Sequence, residues 1–205
     1  MKKLLLAFIA LFGIAQANAE PAYTELDRTP SPTPTVIEFF SFYCPHCYNF
    51  QYVYKIPQKV EAALPKDVTF KQYHVAFLGA QGEMLTRAWS LAMLLNVQDK
   101  VREPLFNAVR AGEEAGDPNV PNMDAIRKIF LDAGVTPDEF NAFNSFAVTA
   151  LTKKQENLAQ SLDVRGVPDF YVNEKYRINP QALPKTEEGF INGYVKTIND
   201  LLQKH

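Results

Sequence analysis

An α/β fold carrying an inserted all-helical domain is what this sequence predicts, on three observations. A β-branched and aromatic run, Thr35–Phe42 (TVIEFFSF), leads into a helical pattern and then into a second alternating run, Val68–Phe77 (VTFKQYHVAF), which makes a strand–helix–strand unit. From Glu83 to about Ser161 apolar residues recur at helical rather than strand spacing. Two short strand-like runs and one amphipathic helix then close the chain.

The elements follow in order. Lys2 and Lys3, the apolar stretch Leu4–Ile14 and the small residues Ala17-Asn18-Ala19 form a bacterial-type secretory signal, too short to span a bilayer as a mature helix. Cleavage after Ala19 is expected. The first strand is expected only at Thr35, behind the Pro/Ser/Thr segment Thr29–Pro34. Cys44-Pro45-His46-Cys47 opens a helix, with Pro45 in the first turn, where its missing N–H costs nothing. Phe50, Val53 and Tyr54 would share its buried face. Pro57 should kink or end this helix, which resumes through Val60 to Leu64 and stops at Pro65.

In the central block, Leu85, Ala88, Trp89, Ala92 and Leu95 stripe one helix, and Val101–Val109 reads as a shorter one. Ala111–Asn122 reads as a loop, Met123–Ala133 as a helix ended by Gly134. Thr136-Pro137-Asp138-Glu139 matches a capping box with proline at the first helical position. The helix it starts is expected to run to about Ser161 with Phe140, Phe143, Phe146 and Ala147 inward. Asp169–Val172 and Lys175–Ile178 form a hairpin around Asn173-Glu174. A last helix, from about Thr186 to Leu202, buries Phe190, Val195, Ile198 and Leu202. Without the insertion this is a thioredoxin-like arrangement, a central sheet flanked by helices. The expected division is a signal at 1–19, thioredoxin-like parts at 20–77 and 156–205, and the helical insertion at 78–155.

Removing the first 19 of 205 residues leaves 186, enough to bury a proper core. Losing Lys2 and Lys3 takes the net charge from −2 to −4, and with no basic block there is no electrostatic footprint for nucleic acid. The cysteine usage is more telling. Cys44 and Cys47 are the only two, and a bridge between them closes too short a loop to restrict the unfolded chain much. An exported chain that keeps such a pair points to chemistry rather than stapling.

Cys-x-x-Cys at a strand-to-helix turn is a redox arrangement. The first cysteine meets unpaired backbone N–H groups and the positive end of the helix dipole, which stabilise a thiolate. The second lies one turn on, close enough to form or resolve a disulfide. His46, between them, adds a donor or cation beside Cys44. Stabilising the reduced thiolate makes the disulfide more oxidising, so this pair leans toward donating disulfides. A zinc site would need two further ligands, for which only His46 and His74 offer, His205 being terminal. Haem attachment needs histidine after the second cysteine, where Tyr48 stands. No dinucleotide or flavin motif is visible, and no cofactor beyond the disulfide is expected.

The segment Phe39–Tyr48 (FFSFYCPHCY) resembles the active-site segment of the DsbA family, periplasmic dithiol oxidases of Gram-negative bacteria. The likeness extends through Tyr73-His74-Val75, Trp89, Pro104-Leu105-Phe106, Arg165-Gly166-Val167-Pro168 and Asn179-Pro180-Gln181, essentially the whole mature chain. It implies a helical domain inserted in a thioredoxin fold and a Val167-Pro168 cis-proline loop facing the disulfide. It implies a peptide groove beside the site to which Pro45, Val167, Phe77, Leu78 and Ile178 contribute. It also implies unfolded exported polypeptides with free thiols as substrates, a monomeric enzyme, and reoxidation by a DsbB-type quinone-linked reductase of the inner membrane.

Two positions depart from the family pattern. The buried acid Glu38 pairs in the family with a lysine, but the matching residue here is Gln72, and Lys71 is displaced by one, to the other face of the strand. Glu38 is then expected to lack a cation and to have its pKa raised by desolvation, or else to be satisfied through water. Acidic residues usual after the second cysteine are replaced by Gln51 and Tyr52. Two other functions compete: a disulfide isomerase or reductase, for which Glu20–Pro34 is too short to hold a dimerisation domain, and a peptide holdase with incidental cysteines.

Overall fold

The computed structural model describes Glu20–Lys204, so the signal expected at 1–19 and the terminal His205 lie outside the described residues. A five-stranded sheet carries the fold: β1 (Tyr23–Glu25), β2 (Thr35–Phe40), β3 (Thr69–His74), β4 (Asp169–Val172) and β5 (Tyr176–Ile178), in the spatial order β1-β5-β4-β2-β3. Only β2 and β3 run parallel. β2 is buried along its whole length between β3 and β4, as its unbroken apolar and aromatic run requires. The sequence pattern does not mark β1: three residues, Tyr23-Thr24-Glu25, carry no periodicity, and only β5 gives them a partner.

The turn between β4 and β5 centres on Asn173-Glu174, both at positive φ (52° and 56°), with Lys175 donating back to the Val172 carbonyl at 3.0 Å. Val172 pairs with Tyr176, so Lys175 joins the turn and β5 starts one residue later than expected. The turn is also tied to β2. Asn173 donates its N–H to the Thr35 carbonyl at 2.7 Å, and its side-chain oxygen accepts from the Thr35 N–H at 3.0 Å.

Apolar layers cover both faces of the sheet. On one side α2 (Ile56–Ala63) and α8 (Glu187–Leu202) pack Ile56, Val60, Ile191, Tyr194 and Ile198 against Val36, Phe170 and Val172. Phe190 and Val195, expected at the centre of α8's face, are only half-buried there; Ile191, Tyr194 and Leu201 take the deeper positions. On the other side Ile37, Phe39, Tyr73 and Tyr171 meet Ala159 and Leu162.

Between β3 and β4 lie α3 (Gly82–Leu95), α4 (Gln98–Ala115), α5 (Met123–Asp132), α6 (Pro137–Phe140) and α7 (Phe146–Ser161). They enclose their own core around Leu85, Trp89, Leu105, Phe106, Ile126, Phe130 and Phe140, continuous with Phe40 at the end of β2 and Phe42 just past it. The division expected at 155/156 falls inside the unbroken α7.

Two helical expectations are corrected. α4 runs on to Ala115, so much of the expected loop Ala111–Asn122 is helix, ended by Gly116 at φ +66°. Neither Pro104 nor the Gly112-Glu113-Glu114 run stops it. The single helix expected from Thr136 is three pieces. The capping box forms as read, but a 3-10 turn covers Asn141–Asn144, and Ser145 caps α7 afresh by accepting from the Val148 N–H. That break rotates the face, leaving Phe146 88% exposed and Ala147 at the surface.

Candidate active site

The active-site strand β2 ends at Phe40, and Ser41–Cys44 turns the chain into α1 (Pro45–Tyr48), with the Cys44 N–H donating to the Ser41 carbonyl at 3.1 Å. Cys44 is the N-cap residue, in extended conformation, and its sulfur accepts from the Cys47 N–H at 3.1 Å. A hydroxyl or carboxylate usually caps a helix; here sulfur takes the position, which places it where the orphan N–H groups converge. After α1 a π-helical turn, Asn49–Val53, shifts the phase of the helix, so Val53 is 57% exposed rather than buried beside Phe50. The chain breaks at Lys55 (φ 53°), and Pro57 sits in the first turn of α2, starting that helix instead of ending one.

The structure holds both cysteines as free thiols, both buried. The Cys44 thiol is held below its ordinary value by the Cys47 side chain as hydrogen-bond donor and by the Cys47 and His46 N–H groups, acting against burial. The Cys47 thiol is pushed far up, first by burial, then by the hydrogen bond it gives Cys44 and by the Cys44 charge. The pair is therefore split into one acidic, forward sulfur and one protonated, rear sulfur. Across from them the Val167–Pro168 peptide is cis, and the Cys44 thiol donates to the Val167 carbonyl at 3.3 Å. A thiolate or a disulfide sulfur has no proton to give that oxygen, so the hydrogen bond belongs to the protonated thiol.

Cys44 opens onto a cleft of about 320 Å³ lined by Phe42, Tyr43, Pro45, Tyr48, Phe106 and Arg110 among others. The Arg110 guanidinium lies 4.7 Å from the centre of the Tyr48 ring. The wall thus carries four aromatic rings with one cation at the rim, and a third of it, Phe106, Arg110 and Glu113, comes from the insertion.

Behind the site Glu38 is 1% exposed. The parallel register sets Glu38 against Gln72 and puts Lys71 opposite Ile37 on the other face. Gln72 Nε2 donates to Glu38 Oε2 at 2.6 Å and to Gln51 Oε1 at 3.1 Å, while Arg102 Nη2 donates to Gln72 Oε1 at 2.9 Å. The cation missing from β3 thus arrives from α4, one amide away, its guanidinium 5.2 Å from the Trp89 ring and paired with Asp99 at 3.0 Å. Burial still outweighs the amide and the arginine, and Glu38 is pushed up to about 8. The Gln72 amide thus hydrogen-bonds the Glu38 carboxyl directly.

The DSBA-like thioredoxin domain family matches residues 35–188. The chain is 50% identical to the thiol:disulfide interchange protein DsbA of Haemophilus influenzae and 41% identical to that of Salmonella typhi, each over the full length of both chains. This chain belongs to the DsbA family. Its fold is the thioredoxin-like fold with a helical insertion, and it is a thiol–disulfide interchange enzyme. Among solved structures, a Proteus mirabilis DsbA cysteine-to-serine variant with a non-covalently bound peptide superimposes with a TM-score of 0.83 at 35% identity, covering 93% of this chain and all of that one. Free Proteus mirabilis DsbA gives 0.81 at 37% identity, covering 89% and 95%.

Within this DsbA-family chain the structure brings Cys44, Cys47, Val167 and Pro168 together, with Pro45 and His46 exposed on the first turn of α1. The other three residues expected in the groove, Phe77, Leu78 and Ile178, do not line the Cys44 cleft. Ile178 is 2% exposed and packs in the core of the sheet, because β5 directs it inward between β1 and β4. Phe77 is 50% exposed but lines a separate cleft of about 520 Å³ with Val75, Glu156, Val164 and Arg165. Leu78 is half-buried and lines neither. Arg110 and Glu113 go unseen in the sequence because the expected helix ends at Val109; carried past Gly112, it puts both on one side with Phe106. Arg102 also goes unseen, since no spacing rule links it to Glu38. Among the described residues no three of His, Cys, Asp and Glu gather as a metal-holding group.

Proposed function

We propose that this enzyme is a periplasmic dithiol oxidase that donates a Cys44–Cys47 disulfide to newly exported, unfolded polypeptides. What supports the reading most is the asymmetry of the two sulfurs: Cys44 caps the helix at an open aromatic cleft, while Cys47 sits behind it, buried and basic. In the oxidised enzyme a substrate thiolate attacks the Cys44 sulfur, and the Cys44–Cys47 bond breaks with its electron pair on Cys47, which takes a proton. A second substrate thiolate then attacks the substrate sulfur of the mixed disulfide. Cys44 leaves as a stabilised thiolate, the substrate has lost two electrons, and the enzyme has gained them. The Val167-Pro168 loop faces the attacked sulfur, and His46 and the helix N–H groups steady its charge. Pro45 and Val167 contribute the near surface for the substrate chain. A peptide bound non-covalently to the Proteus mirabilis relative fits a polypeptide substrate.

In this reading the signal at 1–19 directs export and is removed, the monomer acts alone, the disulfide is the redox group with no further cofactor, and a DsbB-type inner-membrane quinone reductase restores it. Among the described residues no helix is long and apolar enough to cross a membrane. The test is equilibration with glutathione buffers followed by oxidation of a reduced, unfolded protein. The oxidase reading expects a disulfide more oxidising than the glutathione couple and complete loss of substrate oxidation in Cys44→Ser, with peptide binding retained. A Cys44→Ser enzyme that still oxidised thiols would overturn it, and a strongly reducing potential would make it a reductase.

A further inference from the structure

His74 ends β3 with its ring fully buried, and the exchange chemistry above does not use it. The ring stacks on Phe42 with centres 5.0 Å apart at 26° and meets Phe40 edge-on at 5.5 Å. Both ring nitrogens are engaged: Nε2 lies 3.2 Å from the Phe42 nitrogen and Nδ1 lies 2.8 Å from Thr86 Oγ1. A backbone N–H can only donate, so Nε2 is the acceptor and the proton sits on Nδ1. Nδ1 then donates to Thr86 Oγ1, and that hydroxyl donates to the Gly82 carbonyl at 2.9 Å. One tautomer satisfies the whole chain of bonds. Burial holds the ring neutral, with its pKa pushed down to about 3, so it stays an acceptor throughout the neutral range.

The residue is braced from its backbone as well. The His74 N–H donates to Gln155 Oε1 of α7 at 3.0 Å, and Gln155 Nε2 donates to Ser90 Oγ of α3 at 2.6 Å. The ring is therefore fixed by β3, α3 and α7 at once, and it holds the backbone two residues before Cys44. Phe42 lies past the end of β2, inside the turn closed by the Cys44 N–H and the Ser41 carbonyl, and its N–H finds its acceptor on His74. We infer that His74 is a positioning residue for the nucleophile: its Nε2 anchors the Phe42 N–H and so sets where the Cys44 sulfur stands against the Cys47 N–H and the Val167 carbonyl. Through it the insertion fixes the geometry of a site built on the sheet. The inference rests on the reading of Cys44 as nucleophile.

Three substitutions separate the two ring bonds. His74→Gln reaches the Nε2 position and keeps an acceptor for Phe42; His74→Asn reaches only the Nδ1 position; His74→Phe keeps the ring and neither bond. The thiolate absorbance of Cys44 is titrated in each full-length reduced protein, with exchange against a small disulfide measured below the parent's Cys44 midpoint and urea unfolding alongside. His74→Gln should titrate like the parent. His74→Asn and His74→Phe should raise the Cys44 midpoint by about one unit, leaving roughly tenfold less thiolate below both midpoints and slowing exchange in proportion. Parent-like titration in His74→Asn and His74→Phe overturns the inference, as does a His74→Gln protein shifted as far as His74→Phe. If His74→Phe fails to fold, the Asn and Gln proteins carry the contrast. A parent protein whose Cys44 titrates as an ordinary thiol would instead refute the nucleophile reading.

Discussion

At position 38 the protein keeps a carboxylic acid out of reach of water and gives it an amide, not a cation, as its direct partner. The consequence for stability has a definite sign. A carboxyl with a folded pKa of about 8 and an unfolded value of about 4.3 binds its proton more tightly when folded. It favours the fold below about pH 4, and that contribution is lost as the pH rises toward 8. Glu38→Gln imitates the protonated acid. In the oxidised enzyme, where the cysteines do not titrate, the variant should lose the decline in urea stability between pH 5 and 8. At pH 8 it should be the more stable protein, by no more than ~5 kcal/mol. Parallel curves for the two proteins would show that Glu38 is ionised throughout. Arg102→Met keeps the stem against Trp89 and removes the charge behind Gln72, so the decline should extend to higher pH. The sequence showed that Lys71 had left this site, since a one-residue slip on a strand is a change of face. It could not show Arg102, because a contact between β3 and α4 is a product of tertiary packing.

Helix ends decided where the elements departed from their sequence patterns. Thr136 announced its helix by spacing alone, since a capping box is local chemistry. Ser145 did the same job nine residues on without announcing it, because a serine inside an apolar run reads as a tolerated interruption. Ser145→Ala should cost about 1 kcal/mol in chemical unfolding. The rotation that Ser145 introduces makes a sharper pair of expectations. Phe146→Glu should change stability by less than about 0.5 kcal/mol, whereas Phe143→Ala, whose ring is buried against Phe140, should cost about 3 kcal/mol. Equal losses at both positions would restore the single helix read from periodicity. The strands were more legible. Asp169–Val172 was read to the residue, and β2 was found because a central strand must be apolar on both faces. β1 lies at an edge and is three residues long, so it had nothing to show until β5 was beside it.

For the molecule as a whole, the redox state and the fold are coupled through the Cys44 sulfur. Interactions that favour the Cys44 thiolate in the folded protein are absent from the disulfide form, so reduction should stabilise the fold. Urea unfolding at neutral pH should give a later midpoint for the reduced enzyme than for the oxidised one, and the reverse order would mean that the N–H groups at α1 do not tune the pair. The chemistry was readable from four consecutive residues, because cysteine spacing and helix-start placement are both local. The cleft was not, because its walls come from α4 in the insertion and from the turn after β2. The sheet imposes a further constraint, one of time. β2 pairs with β4 across more than a hundred residues of intervening chain. A ribosome delivers residues 35–40 long before residues 169–172, so the strand that leads to Cys44 must wait with one edge unpaired while the helical insertion is made. Its aromatic run is poorly suited to waiting in water. The insertion is then a delay built into assembly, and one that shortens as soon as its helices fold and bring the two halves of the sheet within reach.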